Sequence, residues 1–227
     1  MNTSDHWQQT TFDLNLFPSC YKIQHIFFKR LFDFLFSLIV ITLGLPLFIL
    51  IGIAIRCTSK GPIFYFQERI GRGGIPFRCF KFRTMFSDAD QRLQAILACD
   101  ATKQNEWQKN HKLKNDPRIT PIGNFLRKTS LDELPQFWNV IKGDLSVVGP
   151  RPVVHEEIIR HYGPKAYKIL TIRPGLTGIW QVSGRSNTGY EKRILLDEQY
   201  VDTRSFGLDV KLIAKTIPSM ISAKGAY

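Results

Sequence analysis

The chain has 227 residues, 44% hydrophobic and 22% charged, a balance near that of ordinary globular domains, which excludes wholesale disorder and a polytopic membrane protein. Lys and Arg outnumber Asp and Glu by 31 to 19, for a formal charge of +12, so the partners to look for are anionic: nucleic acid, anionic lipid or phosphorylated substrates. No zinc-finger, RRM or basic-zipper signature accompanies the charge, which sets nucleic acid aside. The cysteines Cys20, Cys57, Cys79 and Cys99 form no C-x-x-C pair, so a zinc site or disulfide framework is not expected, and reduced thiols fit a cytosolic compartment.

Residues 1–20 read as a polar stretch with scattered aromatics, followed by the basic, aromatic approach YKIQHIFFKR. Residues 31–55, LFDFLFSLIVITLGLPLFILIGIAI, are the one strongly apolar stretch, interrupted by Asp33, Ser37 and Thr42. The run is long enough for a hydrocarbon core about 30 Å thick, and it starts too late and ends too basic for a cleaved signal peptide. Two readings stand. One is a single transmembrane helix. The other, a helix that enters and returns on the same face, is favoured by Gly44 and Pro46 past mid-run, by Asp33 inside it, and by cations at both ends: Lys29 and Arg30 before, Arg56 and Lys60 after. Pro46 is expected to bend the helix. The divisions expected are therefore a lead over 1–28, a membrane helix over 29–56, re-entrant or spanning, and a further domain over 57–227.

Past the anchor, GPIFYFQERIGRGGIPFRCFKFRTM alternates rings and cations around a Gly-rich turn and reads as a short β-hairpin. In CFKFRTM, Lys81 and Arg83 face one side and Phe80 and Phe82 the other, the pattern of a strand lying over phosphates. Residues 88–114 read as helical and charged. Thr120-Pro121 reads as a helix start, and Ser130 and Glu133 have capping-box spacing ahead of Pro135, placing Asp132 and Glu133 in a first helical turn. Helices are expected near 190–203 and 207–222, the latter amphipathic with Lys211 and Lys215 on one side, as in an interfacial helix.

Asp132 and Glu133 admit two roles. They complete a helix start, or, set among Arg127, Lys128, Lys142 and Arg151, they form a metal and phosphate site in which a carboxylate attacks phosphorus. Arg151 in GPRP and Arg173 in RPG sit in rigid turns that fix where each guanidinium points. Such forks suit phosphate oxygens, and rigid turns with exposed arginines would look the same.

Taken together, KRLFDFLFSLIVITLGLPLFILIGIAI, GPIFYFQERIGRGGIPFRCFKFRTM, LDELPQFWNVIKGDLSVVGPRP, IRPGLTGIWQVSGR and the closing KGAY closely resemble the bacterial sugar transferases, the monotopic polyprenyl-phosphate phosphoglycosyl transferases, in order over most of residues 28–227. The resemblance implies a mainly helical α+β fold, with one re-entrant membrane helix, amphipathic interfacial helices and a small β element. It implies transfer of hexose 1-phosphate from a UDP-hexose to undecaprenyl phosphate, with release of UMP, at the cytoplasmic face of the bacterial inner membrane, in priming exopolysaccharide, capsule or O-antigen synthesis. Asp132 would be nucleophile and Mg2+ ligand, Glu133 its catalytic partner, and Lys81, Arg83, Arg151 and Arg173 substrate-binding. Membrane lipid is the remaining partner, and a homo-oligomer is neither required nor excluded. Leu45 precedes Pro46 where such enzymes commonly carry Ser, and the chain resembles a minimal form without a bundle ahead of the catalytic part. A basic membrane-anchored scaffold or lipid-binding protein would share the charge and the apolar run, but has no use for the acidic pair beside arginine turns.

Overall fold

A computed structural model describes residues 23–110, 113–184 and 189–221. Residues 1–22 of the lead and the closing KGAY lie outside them. Helix α1 spans Ile23–Thr58 and takes in the whole apolar run with Pro46 inside it. The helix runs on through Pro46, where a bend is expected because proline removes one donor and strains one carbonyl.

Both flanks of α1 are tied to the rest of the chain. Near its start, Lys29 pairs with Asp33 at 2.7 Å and with Asp209 at 3.1 Å. Asp33 also accepts the Ser146 hydroxyl at 2.8 Å and the Val147 amide at 3.2 Å. Arg30 donates to the carbonyls of Val140 and, at 2.6 Å, Ile141. Near its end, Ile51 and Ile55 are buried in a cluster with Phe82 and Leu126, and the Phe48 ring lies 5.5 Å from that of Phe82. Between the flanks the helix stands out: Leu43 is 78% exposed.

Asp33 is 2% exposed, so its partners cannot be replaced by water. Asp33→Ala strands the Val147 amide and half-frees Lys29, and is expected to cost about 2–4 kcal/mol. In detergent this should lower Tm by roughly 5–15 °C, with Asp33→Asn intermediate; an unchanged Tm would show that the α1 start does not need this tie.

Strands β1 (Phe64–Ile70) and β2 (Pro76–Phe82) form the expected antiparallel hairpin, Tyr65 opposite Lys81. Its turn needs glycine, since Gly73 and Gly74 have φ of 70° and 78°. The charged helical stretch divides into α2 (Ala89–Cys99) and α3 (Ala101–Asn110), because Asp100 leaves the helix and accepts the amides of Thr102 and Lys103, capping the second segment. Helix α4 (Pro121–Thr129) starts as expected, with the Gly123 amide donating to Thr120 Oγ1 at 3.0 Å.

Next come α5 (Gln136–Lys142) and β3 (Ser146–Val148), the short α6 (His155–Glu157) continuing into a π-helical turn over Ile158–Tyr162, and α7 (Lys165–Ile169). Strand β4 (Gly175–Thr177), α8 (Ile179–Val182), α9 (Tyr190–Thr203) and α10 (Phe206–Ile221) complete the chain. The fold is mainly helical α+β, with a second sheet the sequence did not announce: β3 pairs with β4 in parallel. Gly149 and Gly175 make this possible, since a Cβ on Gly175 would lie 2.0 Å from the Gly149 nitrogen.

Candidate active site

The acidic pair lies in a 3-10 turn, Leu131–Glu133, between α4 and α5. Ser130 has φ 57° and ends α4 in the left-handed region, making no side-chain cap. The capping box suggested by the spacing is therefore absent, and Asp132 and Glu133 precede α5 rather than form its first turn. With no amide to cap, Glu133 turns toward cations: its Oε1 receives Lys81 Nζ at 2.8 Å and Arg151 Nη2 at 3.5 Å.

The side chain that makes this meeting possible is Asn139, fully buried on α5. Its Oδ1 accepts the Phe80 amide at 2.9 Å, and its Nδ2 donates to the Arg78 carbonyl at 2.8 Å. The amide thus completes the open edge of β2 as a neighbouring strand would, and the stitch sets Lys81 over the dyad. A polar residue within the apolar FWNVI was its only trace in the sequence. Arg151 is placed from the other side, where the GPRP turn is braced by β4: the Gly149 amide donates to Thr177 O and the Gly175 amide to Pro150 O, at 2.8 and 2.7 Å.

Two other cations expected here are committed elsewhere. Arg83 follows the last residue of β2, so strand alternation no longer holds it beside Lys81. It is 6% exposed and donates to the carbonyls of Lys60 and Ser59 at 2.8 and 2.9 Å, closing the C-terminal end of α1. Arg173 donates through Nε to the Gly143 carbonyl at 2.8 Å, beyond the end of α5 opposite the dyad, about 10 Å away along that helix. The RPG segment contributes to the site through its backbone, by bracing GPRP. In Arg83's stead the structure brings Arg127, whose Nε donates to Thr84 Oγ1 at 2.9 Å and whose charge acts on Asp132. Arg69 and Gln136 join Lys81, Glu133 and Arg151 around a small recess.

The two carboxyls are driven apart. Burial, then the Glu133 charge, push Asp132 up to about 6, against the pull of Lys81, Arg127 and Arg151. For Glu133, burial also pushes upward, but Lys81 and Arg151, with the Lys81 hydrogen bond, outweigh it and hold the carboxyl well below its usual range. The result is a firmly anionic Glu133 within a cationic ring, beside an Asp132 that is 8% exposed.

Against known proteins, the model of the bacterial sugar transferases matches residues 24–223. The chain belongs to the bacterial sugar transferase family. It is 45% identical over 201 residues to the UDP-galactose-lipid carrier transferase of Erwinia amylovora and 43% identical over 201 residues to the undecaprenyl-phosphate galactose phosphotransferase of Salmonella typhimurium, covering in each case 88% of this chain and 42% of the relative. It is 44% identical over 199 residues to the exopolysaccharide production protein ExoY of Rhizobium meliloti, covering 88% of both. The chain thus spans less than half of two of these relatives and nearly all of the third.

Proposed function

We propose that this sugar transferase moves hexose 1-phosphate from a UDP-hexose onto undecaprenyl phosphate, through a phosphosugar-aspartate on Asp132, at the cytoplasmic face of the bacterial inner membrane. The observation that carries the reading is the dyad itself: one buried carboxylate freed from any capping role, beside a second held by Lys81 and Arg151, in a family whose members include named undecaprenyl-phosphate sugar transferases.

In the first step an Asp132 oxygen attacks the sugar-bearing phosphorus, the P–O bond to UMP breaks, and UMP leaves with the bonding electrons. In the second, a phosphate oxygen of the lipid attacks that phosphorus, and the aspartyl–phosphorus bond breaks to restore the carboxylate. Both steps bring anions together, so positioned cations lower the barrier most. Lys81, Arg127 and Arg151 supply them without rearrangement. Glu133 holds Lys81 and Arg151 in place beside Asp132.

No cluster of three or more His, Cys, Asp or Glu ligands occurs among the described residues. One or two carboxylates completed by substrate phosphates is nevertheless the usual donor set of Mg2+, and Asp132, buried and in need of a counter-charge, fits it. Asp132 would hold the ion, which when bound screens the donor diphosphate.

The membrane reading draws on α1. A straight crossing would put Lys29 and Arg30 across about 30 Å of hydrocarbon from Ile51 and Ile55, yet both flanks bond the same body, which favours a helix that dips and returns. The exposed Phe125, Trp138, Phe206 and Ile217 suit a body resting at the interface.

The test is product identity. Purified enzyme with undecaprenyl phosphate, Mg2+ and a panel of UDP-hexoses should release UMP from one of them, and EDTA should stop it. Release of UDP would indicate direct glycosyl transfer, and release of neither would leave a scaffold.

A further inference from the structure

Behind Arg151, away from the dyad, lies a layer that this chemistry does not use. Arg193 of α9 is 6% exposed. Its guanidinium lies 4.8 Å from the Trp180 ring centre, 5.7 Å from that of Tyr190 and 5.9 Å from that of Tyr162. The nearest carboxylate oxygens, on Glu157 and Asp197, are 3.8 and 3.9 Å away, too far for hydrogen bonds, and Nε and Nη2 have no hydrogen-bond partner. Burying a cation with unpaired donors is unfavourable. What Arg193 gains in return is aromatic contact, above all with Trp180.

The same ring meets a second cation: the Arg151 guanidinium lies 5.7 Å from the Trp180 centre. Asp197, 1% exposed, accepts the Arg151 backbone N–H and the Tyr162 hydroxyl. Helix α9 thus meets Arg151 twice, at its backbone through Asp197 and at its side chain through a tryptophan whose ring Arg193 also contacts. We propose that Arg193 is a positioning residue, which by holding Trp180 fixes the Arg151 guanidinium toward Glu133 and the donor diphosphate. This rests on the reading of Arg151 as a donor ligand. A flat guanidinium matters here, because the compact ammonium of lysine does not stack on the ring in the same way.

A double-mutant cycle decides it. UMP release by the full-length enzyme in detergent is measured against concentration of the UDP-hexose it uses, for wild type, Arg193→Gln, Arg151→Gln and the double variant. Arg193→Gln is expected to raise the donor KM about tenfold with kcat within about twofold, as loss of orientation rather than of a reacting group would do. In the Arg151→Gln background the same change should alter KM less than about twofold, since the residue acted upon is gone. A purely structural role would lower kcat with the amount of folded enzyme, equally in both backgrounds. Should Arg193→Gln fail to fold, Arg193→Lys carries the same cycle, with an expected rise of about threefold in KM. An unchanged KM, or a factor that multiplies undiminished into Arg151→Gln, overturns the proposal. Wild-type enzyme that releases no UMP from any UDP-hexose overturns the transfer reading, and this inference with it.

Discussion

Asp132→Asn is expected to reduce UMP release by at least about 1,000-fold while the protein stays folded and in the membrane fraction. The amide has nearly the shape of the carboxyl but cannot attack phosphorus. It should not destabilise the fold, because burial and Glu133 already disfavour the charge at this position, and a neutral side chain removes that penalty. A carboxylate that served only a helix terminus would behave oppositely, costing about 0.5–2 kcal/mol of stability and little turnover. Melting temperature and UMP release, measured on the same preparation, separate the two. Turnover within tenfold of wild type would reject Asp132 as nucleophile.

The next largest effect is all-or-none. Cys20 precedes α1 and Cys57 stands in its last turn, so single-cysteine variants retaining one or the other report the two sides of the apolar run. If α1 dips and returns, a membrane-impermeant maleimide added to intact cells labels neither, and both become labelled once the membrane is opened. The reason lies in the ties at each flank: Asp33 to Ser146 and Val147 at one, Ile51 and Ile55 to Phe82 and Leu126 at the other. Labelling of Cys20 alone from outside would establish a crossing, and would require the Lys29–Asp209 pair to break in the membrane.

Elements with strong local chemistry were legible in the sequence. The Thr120-Pro121 helix start, the glycine hairpin turn and the apolar helix each follow from side chains acting on their own neighbours in the chain. What the sequence concealed depends on distant partners. Ser130 and Glu133 have capping spacing, but Ser130 turns left-handed and Glu133 finds Lys81, 52 residues upstream. Strand alternation placed Lys81 and Arg83 on one face, but the strand stops at Phe82, and Arg83 closes the end of α1. Arg173 looked like a phosphate fork, whereas its segment acts through the backbone, as the β4 support of GPRP. Asn139 and Asp197 are not marked out in the sequence, because a lone polar residue in a helix carries no pattern and only the fold shows which edge or turn it completes. The resemblance to the family compensated for much of this at the dyad, since it names positions whose geometry local rules misassign.

The covalent half-reaction tests the central claim most directly. Enzyme incubated with Mg2+ and the UDP-hexose labelled in its sugar, with no lipid acceptor, should release UMP up to one equivalent and acquire the label as an acyl phosphate. That adduct should be cleaved by hydroxylamine, absent in Asp132→Asn, and discharged when undecaprenyl phosphate is added. UMP formation that strictly requires the lipid, with no label on the protein at the earliest times, would contradict the account and leave direct transfer between the two substrates.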